Sequence, residues 1–152
     1  MTRASEKLRN QNSVCLSIYV FIQTNHHRLH EKQYSIGKTI TLPEPTSYTP
    51  EMIKNAIYVL RKIFRTGYKY IKAGVYLSDI FPENNVQLNA FENKDHDKLK
   101  SAMKAVDGIN YIWGRDSIKF ASSGIGQDWK MKRCYMSKRH TTNWNELLIV
   151  NV

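Results

Sequence analysis

The side chains with chemical potential fall in four places. His26, His27 and His30 read HHxxH. On a helix, the step from His26 to His30 would turn two imidazoles toward one metal ion. They lie between two strand-like runs, however, and beyond Glu31 no carboxylate or thiol completes a ligand set. A solvated or phosphate-touching loop is therefore expected, without a metal. Asp95 and Asp97 form the closest acidic pair. Such a pair could hold Mg²⁺ ions, but it stands just ahead of a helical pattern, where negative charge suits the helix dipole. Cys134 follows Lys132 and Arg133, which favour a thiolate. No histidine is placed as its base, so it reads as structural. The fourth place is basic and aromatic: Lys130, Lys132, Arg133, Lys138, Arg139 and His140 interleave with Trp129, Tyr135 and Trp144. Such a mixture suits single-stranded or distorted DNA, by phosphate contact and base stacking. The alternative is that Trp113, Trp129 and Trp144 build the core of a short segment. That is the expectation for the tryptophans, with the cations kept as phosphate candidates. There is no glycine-rich phosphate loop. No catalytic residue and no cofactor are expected.

The charge distribution points the same way. The 152 residues carry 23 Lys/Arg and 13 Asp/Glu, a net charge of +10. Residues 1–79 hold 12 and 5 of these, residues 80–112 hold 4 and 5, and residues 113–152 hold 7 and 3. Two basic blocks thus flank a near-neutral connector. Such a field favours polyanions, because each neutralised phosphate releases condensed counterions; a solvated basic surface is the plain alternative. No apolar run is long enough to span a membrane, and Met1 to Asn12 lack the apolar core of a secretory signal. Cys15 and Cys134 read as reduced thiols in a cytoplasmic protein.

Periodicity supplies the elements that position these groups. Ala4 to Asn10 reads as the end of a helix. Val14 to Gln23 alternates, with Val14, Leu16, Ile18, Val20 and Ile22 on one side and Cys15, Ser17, Tyr19, Phe21 and Gln23 on the other. Tyr34 to Leu42 repeats the pattern, with Tyr34, Ile36, Ile40 and Leu42 on one face and Ser35, Gly37, Thr39 and Thr41 opposite, until Leu42-Pro43-Glu44-Pro45 breaks it. Thr49 caps a helix with Pro50 at its first position and a stripe of Ile53, Ala56, Ile57, Leu60, Ile63 and Phe64. Gly67 stops it. Tyr70 to Asp79 is a third strand, with Ile71, Ala73, Val75 and Leu77 inward and Lys72, Tyr76 and Ser78 outward. Asp95 to Ile112 is a helix with Leu99, Ala102, Met103, Val106 and Ile109 on one face, ended by Gly114. Ser117 to Ala121 is a short strand candidate. The fold class is α+β, a sheet with helices on one face and a small α+β unit after it. The uncovered sheet face bears aromatics and cations and suits a nucleic-acid backbone; facing water is the plain alternative.

Several stretches resemble the last third of UmuC-type Y-family DNA polymerases. "EKLR", "SVCLSIYVFIQT", "QYSIGKTITLPEPT" and "GYKYIKAGVYLSDI" are similar to the little-finger domain of that family. "AMKAVDGINYIWGRDSIKFASSGI" and "WKMKRCYMSKRHTTNWNELLIV" are similar to the small domain that follows it. The resemblance implies three parts: a little-finger-like DNA-binding domain over 1–81, a linker over 82–93 and a small C-terminal domain over 94–152. It implies a four-stranded sheet backed by two helices, with the first strand absent here. It also implies that the metal-binding carboxylates sit in a palm domain outside this chain, so that the chain alone polymerises nothing.

Within the linker, Gln87-Leu88-Asn89-Ala90-Phe91 resembles the pentapeptide by which bacterial polymerases hold the sliding clamp. Gln87 can hydrogen-bond at a pocket rim while Leu88 and Phe91 fill an apolar cleft. The family usually carries a larger apolar residue where Ala90 stands. For DNA, the expected contacts are to the backbone and independent of sequence. They come from Lys38, Arg65, Lys69, Lys72 and Tyr76 in the first part, and from Lys130, Lys132, Arg133, Lys138 and Arg139 in the last. Translesion synthesis in the SOS response is the implied setting. Two other readings stay open: a piece of a split or truncated polymerase gene whose palm lies on another chain, and a protein-interaction module for a recombinase filament or a UmuD-type partner.

Overall fold

The computed structural model describes residues 1–85, 95–124, 126 and 135–147. Helix α1 spans Thr2–Asn10, strand β1 Ser13–Thr24, strand β2 Ser35–Thr46, helix α2 Thr49–Ile63, strand β3 Tyr70–Pro82 and helix α3 His96–Ile112. The three strands form one antiparallel sheet in the order β2-β1-β3. β1 is therefore hydrogen-bonded along both edges. Its alternation fixes the layers: Ile18, Val20 and Ile22 are buried under Leu8 of α1 and Met52, Ala56, Val59 and Ile63 of α2. Both helices lie on that one face, giving the expected two-layer α+β arrangement.

The face of α2 is rotated from the sequence reading. Met52 and Val59 are almost fully buried, whereas Ile57 and Leu60 are half-buried and Phe64 is 51% exposed. The helix packs chiefly on β1 and β2. Residues that face those two strands are buried, and Phe64 falls beyond the helix end at Ile63. The same geometry corrects β3. Ile71 is 64% exposed and Ala73 is exposed, and only Val75 and Leu77 are part-covered.

The two prolines do not end β2. Cys15 pairs with Thr46 while Ser17 pairs with Thr41, so β2 bulges through Leu42-Pro43-Glu44-Pro45 and then rejoins. A bulge is where an edge strand tolerates residues that cannot donate to the ladder. Opposite it, Asp79 of β3 takes φ 52°. The alternation of β1 is disturbed here, with Cys15 and Ser17 buried and Leu16 only half-buried. Burial, then the nearby Asp79 charge, pushes the Cys15 thiol up to about 11.

Thr49 is not the cap of α2. Tyr48 holds that position, and the buried Thr49 hydroxyl lies 2.7 Å from Ser5 Oγ. Arg9 completes the junction. Its Nε and Nη2 donate to the two Asp107 oxygens at 2.6 and 2.7 Å, and its Nη1 donates to Ser47 O and Thr49 Oγ1 at 2.7 and 2.8 Å. A planar guanidinium satisfied this way can sit half-buried, and here it ties α3 to α1 and α2. Met103 of α3 is buried, and Lys100 pairs with Glu83 at 2.8 Å. Asp95 caps α3 as expected, accepting from Lys98 N at 3.0 Å, and Gly114 follows its end at φ 98°. The strand expected at Ser117–Ala121 is absent: this stretch holds bends and the start of a 3-10 turn at Ala121–Ser123. Among the described residues no helix is long and apolar enough to cross a membrane.

Met52→Ala should cost about 2–5 kcal/mol in urea unfolding, and Phe64→Ala under about 1 kcal/mol. The raised Cys15 thiol sets an alkaline limit. Its contribution is full below the ordinary thiol value of 9.0 and is lost as pH rises through about 11. Native chain at neutral pH should leave Cys15 unalkylated by iodoacetamide, with reaction only after unfolding.

Candidate nucleic-acid interface

Because both helices cover one side of the sheet, the other side is left open among the described residues. The register sets its composition. Tyr19 lies opposite Thr39 and Tyr76, Phe21 opposite Gly37 and Gly74, and Gln23 opposite Ser35 and Lys72. Three rings dominate this face. Tyr19, Phe21 and Tyr76 have centroids 5.4–6.1 Å apart and planes within 17–27° of one another. The glycines make room for them. A β-carbon on Gly37 would collide with the Tyr19 hydroxyl, and one on Gly74 would collide with the Phe21 ring. Glycine inside a strand marks such a close approach. Strand period alone places the aromatics on this face but does not reveal that Gly37 and Gly74 seat them.

Lys72 stands on this face, its ammonium 5.9 Å from the Phe21 centroid, beside Tyr76, which is 61% exposed. Arg65 and Lys69 lie at the end of the sheet, in the turn between α2 and β3. Tyr70 secures that turn, accepting from Arg65 N at 3.1 Å and donating to Arg65 O at 2.9 Å. Arg65 packs its guanidinium over the Tyr34 ring at 5.0 Å, and Tyr34 donates to Ile63 O at 2.9 Å. Lys69 pairs with Glu31 at 3.0 Å, which also accepts from Arg28 at 3.3 Å. Lys69 first, then Arg28, holds the Glu31 carboxyl below the usual carboxylate range.

The β1–β2 loop carrying Glu31 is closed by one side chain. Gln33 Nε2 donates to the carbonyls of Asn25, Arg28 and Glu31 at 2.9–3.1 Å, and its Oε1 accepts from Thr24 Oγ1 at 2.8 Å. His26 contacts Gln23 at 2.8 Å and His27 ring to ring at 5.1 Å. Among the described residues no group of three or more His, Cys, Asp or Glu is placed to hold a metal.

Lys38 does not join the open face. It pairs with Val20, whose side chain is buried beneath the helices, so it lies on the helix side of edge strand β2. There it influences Tyr58, whose phenol is lowered mainly by Lys62, with its ammonium 4.2 Å from the ring. In the C-terminal part Lys138 is exposed, but Arg139 is engaged. Its Nη2 and Nε donate to Glu146 Oε1 at 2.7 and 3.2 Å, and the Glu146 carboxyl is pulled down to about 2. Trp113 and Trp144 are 78% and 88% exposed, which overturns their expected place in a core. Gln87, Leu88, Asn89, Ala90, Phe91, Trp129, Lys130, Lys132, Arg133 and Cys134 lie outside the described residues.

Residues 1–90 match the profile of the impB/mucB/samB family C-terminal domain, and residues 100–150 match a domain of unknown function, DUF4113. The chain is 38% identical over 149 residues to protein UmuC of Salmonella typhimurium, covering 97% of this chain and 35% of that protein. It is 36% identical over 146 residues to protein SamB of Salmonella typhimurium, with 95% and 34% covered. It is 35% identical over 151 residues to protein MucB of Escherichia coli, with 99% and 35% covered. The chain spans about a third of the length of the curated relatives it matches. No solved structure matches it.

If the rings depend on the glycines, Gly74→Ala should cost about 1–3 kcal/mol by forcing the Phe21 ring aside. Gly108→Ala, mid-helix in α3 with open space around its Cα, should instead add about 0.5–1 kcal/mol. Urea melts of the two variants beside the parent chain check both.

Proposed function

The chain belongs to the impB/mucB/samB C-terminal-domain family, and from that premise we propose that it is the DNA-binding and sliding-clamp-binding C-terminal region of an error-prone Y-family translesion DNA polymerase of the UmuC type. The observation that carries the reading is a sheet that, among the described residues, is covered on one face only, and whose other face and adjoining turn gather Lys72, Tyr76, Arg65 and Lys69. The cations take phosphates, which fixes the domain on the DNA without reading sequence. Lys38, on the helix side, is left out of this footprint. The polymerase reaction belongs to the longer protein, and this region alone is non-catalytic. Its contribution is grip: the little-finger part holds the DNA, and Gln87-Leu88-Asn89-Ala90-Phe91 tethers it to the clamp, with damage tolerance in the SOS response as the setting. In the small C-terminal part, Tyr111, Ile112 and Trp113 are 91%, 74% and 78% exposed. Apolar groups this exposed favour a protein partner there, of the UmuD or recombinase type.

Binding to DNA should weaken steeply with salt. Replacing Arg65, Lys69 and Lys72 together by alanine should lower the slope of log affinity against log salt by about 0.9 for each duplex phosphate that is no longer neutralised. A salt series by gel shift measures this, and an affinity indifferent to salt would remove the reading. Gln87→Ala with Phe91→Ala should abolish capture by immobilised sliding clamp while leaving DNA binding intact. Equal capture of parent and variant would show that the pentapeptide does not hold the clamp.

A further inference from the structure

We infer that the outer face of α2 docks an acidic segment of a protein partner, on the side of the domain turned away from the DNA. The choice of partner rests on the DNA-binding reading above, which takes the opposite face of the sheet as the DNA side.

Cations gather here around one ring. Tyr58, in the middle of α2, is 50% exposed. Lys54 stands four residues before it, and Arg61 and Lys62 three and four residues after it, so all three share its face. The Lys62 ammonium lies 4.2 Å from the Tyr58 ring centroid. Lys38 comes from edge strand β2, on the helix side of the sheet, near enough to add to the lowering of the Tyr58 phenol that Lys62 leads. Lys38, Lys54, Arg61 and Lys62 are all exposed. Among the described residues none of them forms an ion pair, whereas Arg9, Lys69, Lys100 and Arg139 each have a carboxylate of this chain. The carboxylate of α2 itself, Glu51, is half-buried in the first turn. The field around Tyr58 is therefore positive and directed outward, and charge of the opposite sign on a partner would be steered to it and held in register.

Geometry favours protein over nucleic acid as the source of that charge. α2 covers the apolar side of the sheet, so its outer surface points away from the side that carries Lys72 and Tyr76. A duplex lying against Lys72 and Tyr76 has the sheet and the helix layer between it and Tyr58. The strip is also short. From Lys54 to Lys62 it runs about 12 Å at 1.5 Å per residue. Two turns of a helix with carboxylates three and four residues apart, laid beside α2, would match that length and spacing. An exposed tyrosine and an arginine side by side are the side chains on which protein interfaces concentrate their binding energy. Tyr58 and Arg61 supply both, and the burial of Met52 and Val59 beneath them fixes the helix that presents them.

The test is fluorescence anisotropy with the full chain and three labelled probes: a helical peptide with glutamate at every fourth position, the same peptide with glutamine in those places, and a blunt duplex. Two variants remove equal charge. One carries Lys54→Ala, Arg61→Ala and Lys62→Ala, the other Arg65→Ala, Lys69→Ala and Lys72→Ala. All six side chains are exposed, so both variants should keep the parent's urea melt. The parent chain should bind the glutamate peptide and not the glutamine one. The α2 variant should bind the glutamate peptide about tenfold more weakly and keep its affinity for duplex, and the second variant should do the reverse. The inference is overturned if the parent chain ignores the glutamate peptide, if the α2 variant binds it as the parent does, or if both variants lose it equally. Loss of duplex by the α2 variant as large as its loss of peptide would also overturn it, by making the face a nucleic-acid site. Duplex binding undiminished in the second variant would sink the DNA-binding reading alone, and the peptide arm would still decide what α2 docks.

Discussion

Pairing along both edges of β1 is the constraint on which the remaining structure depends. A strand so held has no freedom of register, and its side chains must alternate between two faces. One set, Ile18, Val20 and Ile22, meets the helices. The other, Tyr19, Phe21 and Gln23, meets whatever lies beyond the sheet. With α1 and α2 both on the apolar side, neither helix covers the second face. The same pairing puts Gly37 and Gly74 on either side of Phe21 and Tyr76 opposite Tyr19, so a single register produces both the core and the aromatic face.

Charge is distributed less freely than a total of +10 suggests. Several cations are committed to carboxylates: Arg9 to Asp107, Lys69 to Glu31, Lys100 to Glu83 and Arg139 to Glu146. The Arg9 pair is part-buried and structural. The others are exposed, where ion pairs exchange readily and a phosphate can compete. The Glu31 pair holds Lys69 near Arg65 at the end of the open face, so a weak pair still organises the region where the backbone of a nucleic acid would pass.

Much of this was legible in the residues. The period-two runs located all three strands, and the helical stripes located α2 and α3. Lys38 shares its parity with Ile36 and Ile40, so its side of the sheet could be read from the alternation, although its charge argued for the open face. What stayed hidden depends on neighbours distant in sequence. Pro43 and Pro45 read as a stop because a bulge exists only relative to the partner strand. Ile71 and Ala73 read as inward because the pattern cannot show that α2 packs chiefly on β1 and β2. Met52 and Val59 were passed over in favour of Ile57 and Leu60 for the same reason. The rings of Tyr19 and Phe21 were visible, but the two glycines that seat them become meaningful only once the strands are side by side. Trp113 and Trp144 read as core because a short segment needs large residues to build one, and they stand in solvent.

Ring-resolved NMR tests the central claim directly. With the tyrosine and phenylalanine rings labelled, DNA titrated into the chain should shift the resonances of Tyr19, Phe21 and Tyr76 and leave Tyr58, on the outer side of α2, in place. Movement of Tyr58 with the three sheet rings undisturbed would contradict the account, because it would put the nucleic acid on the helices instead of the open sheet.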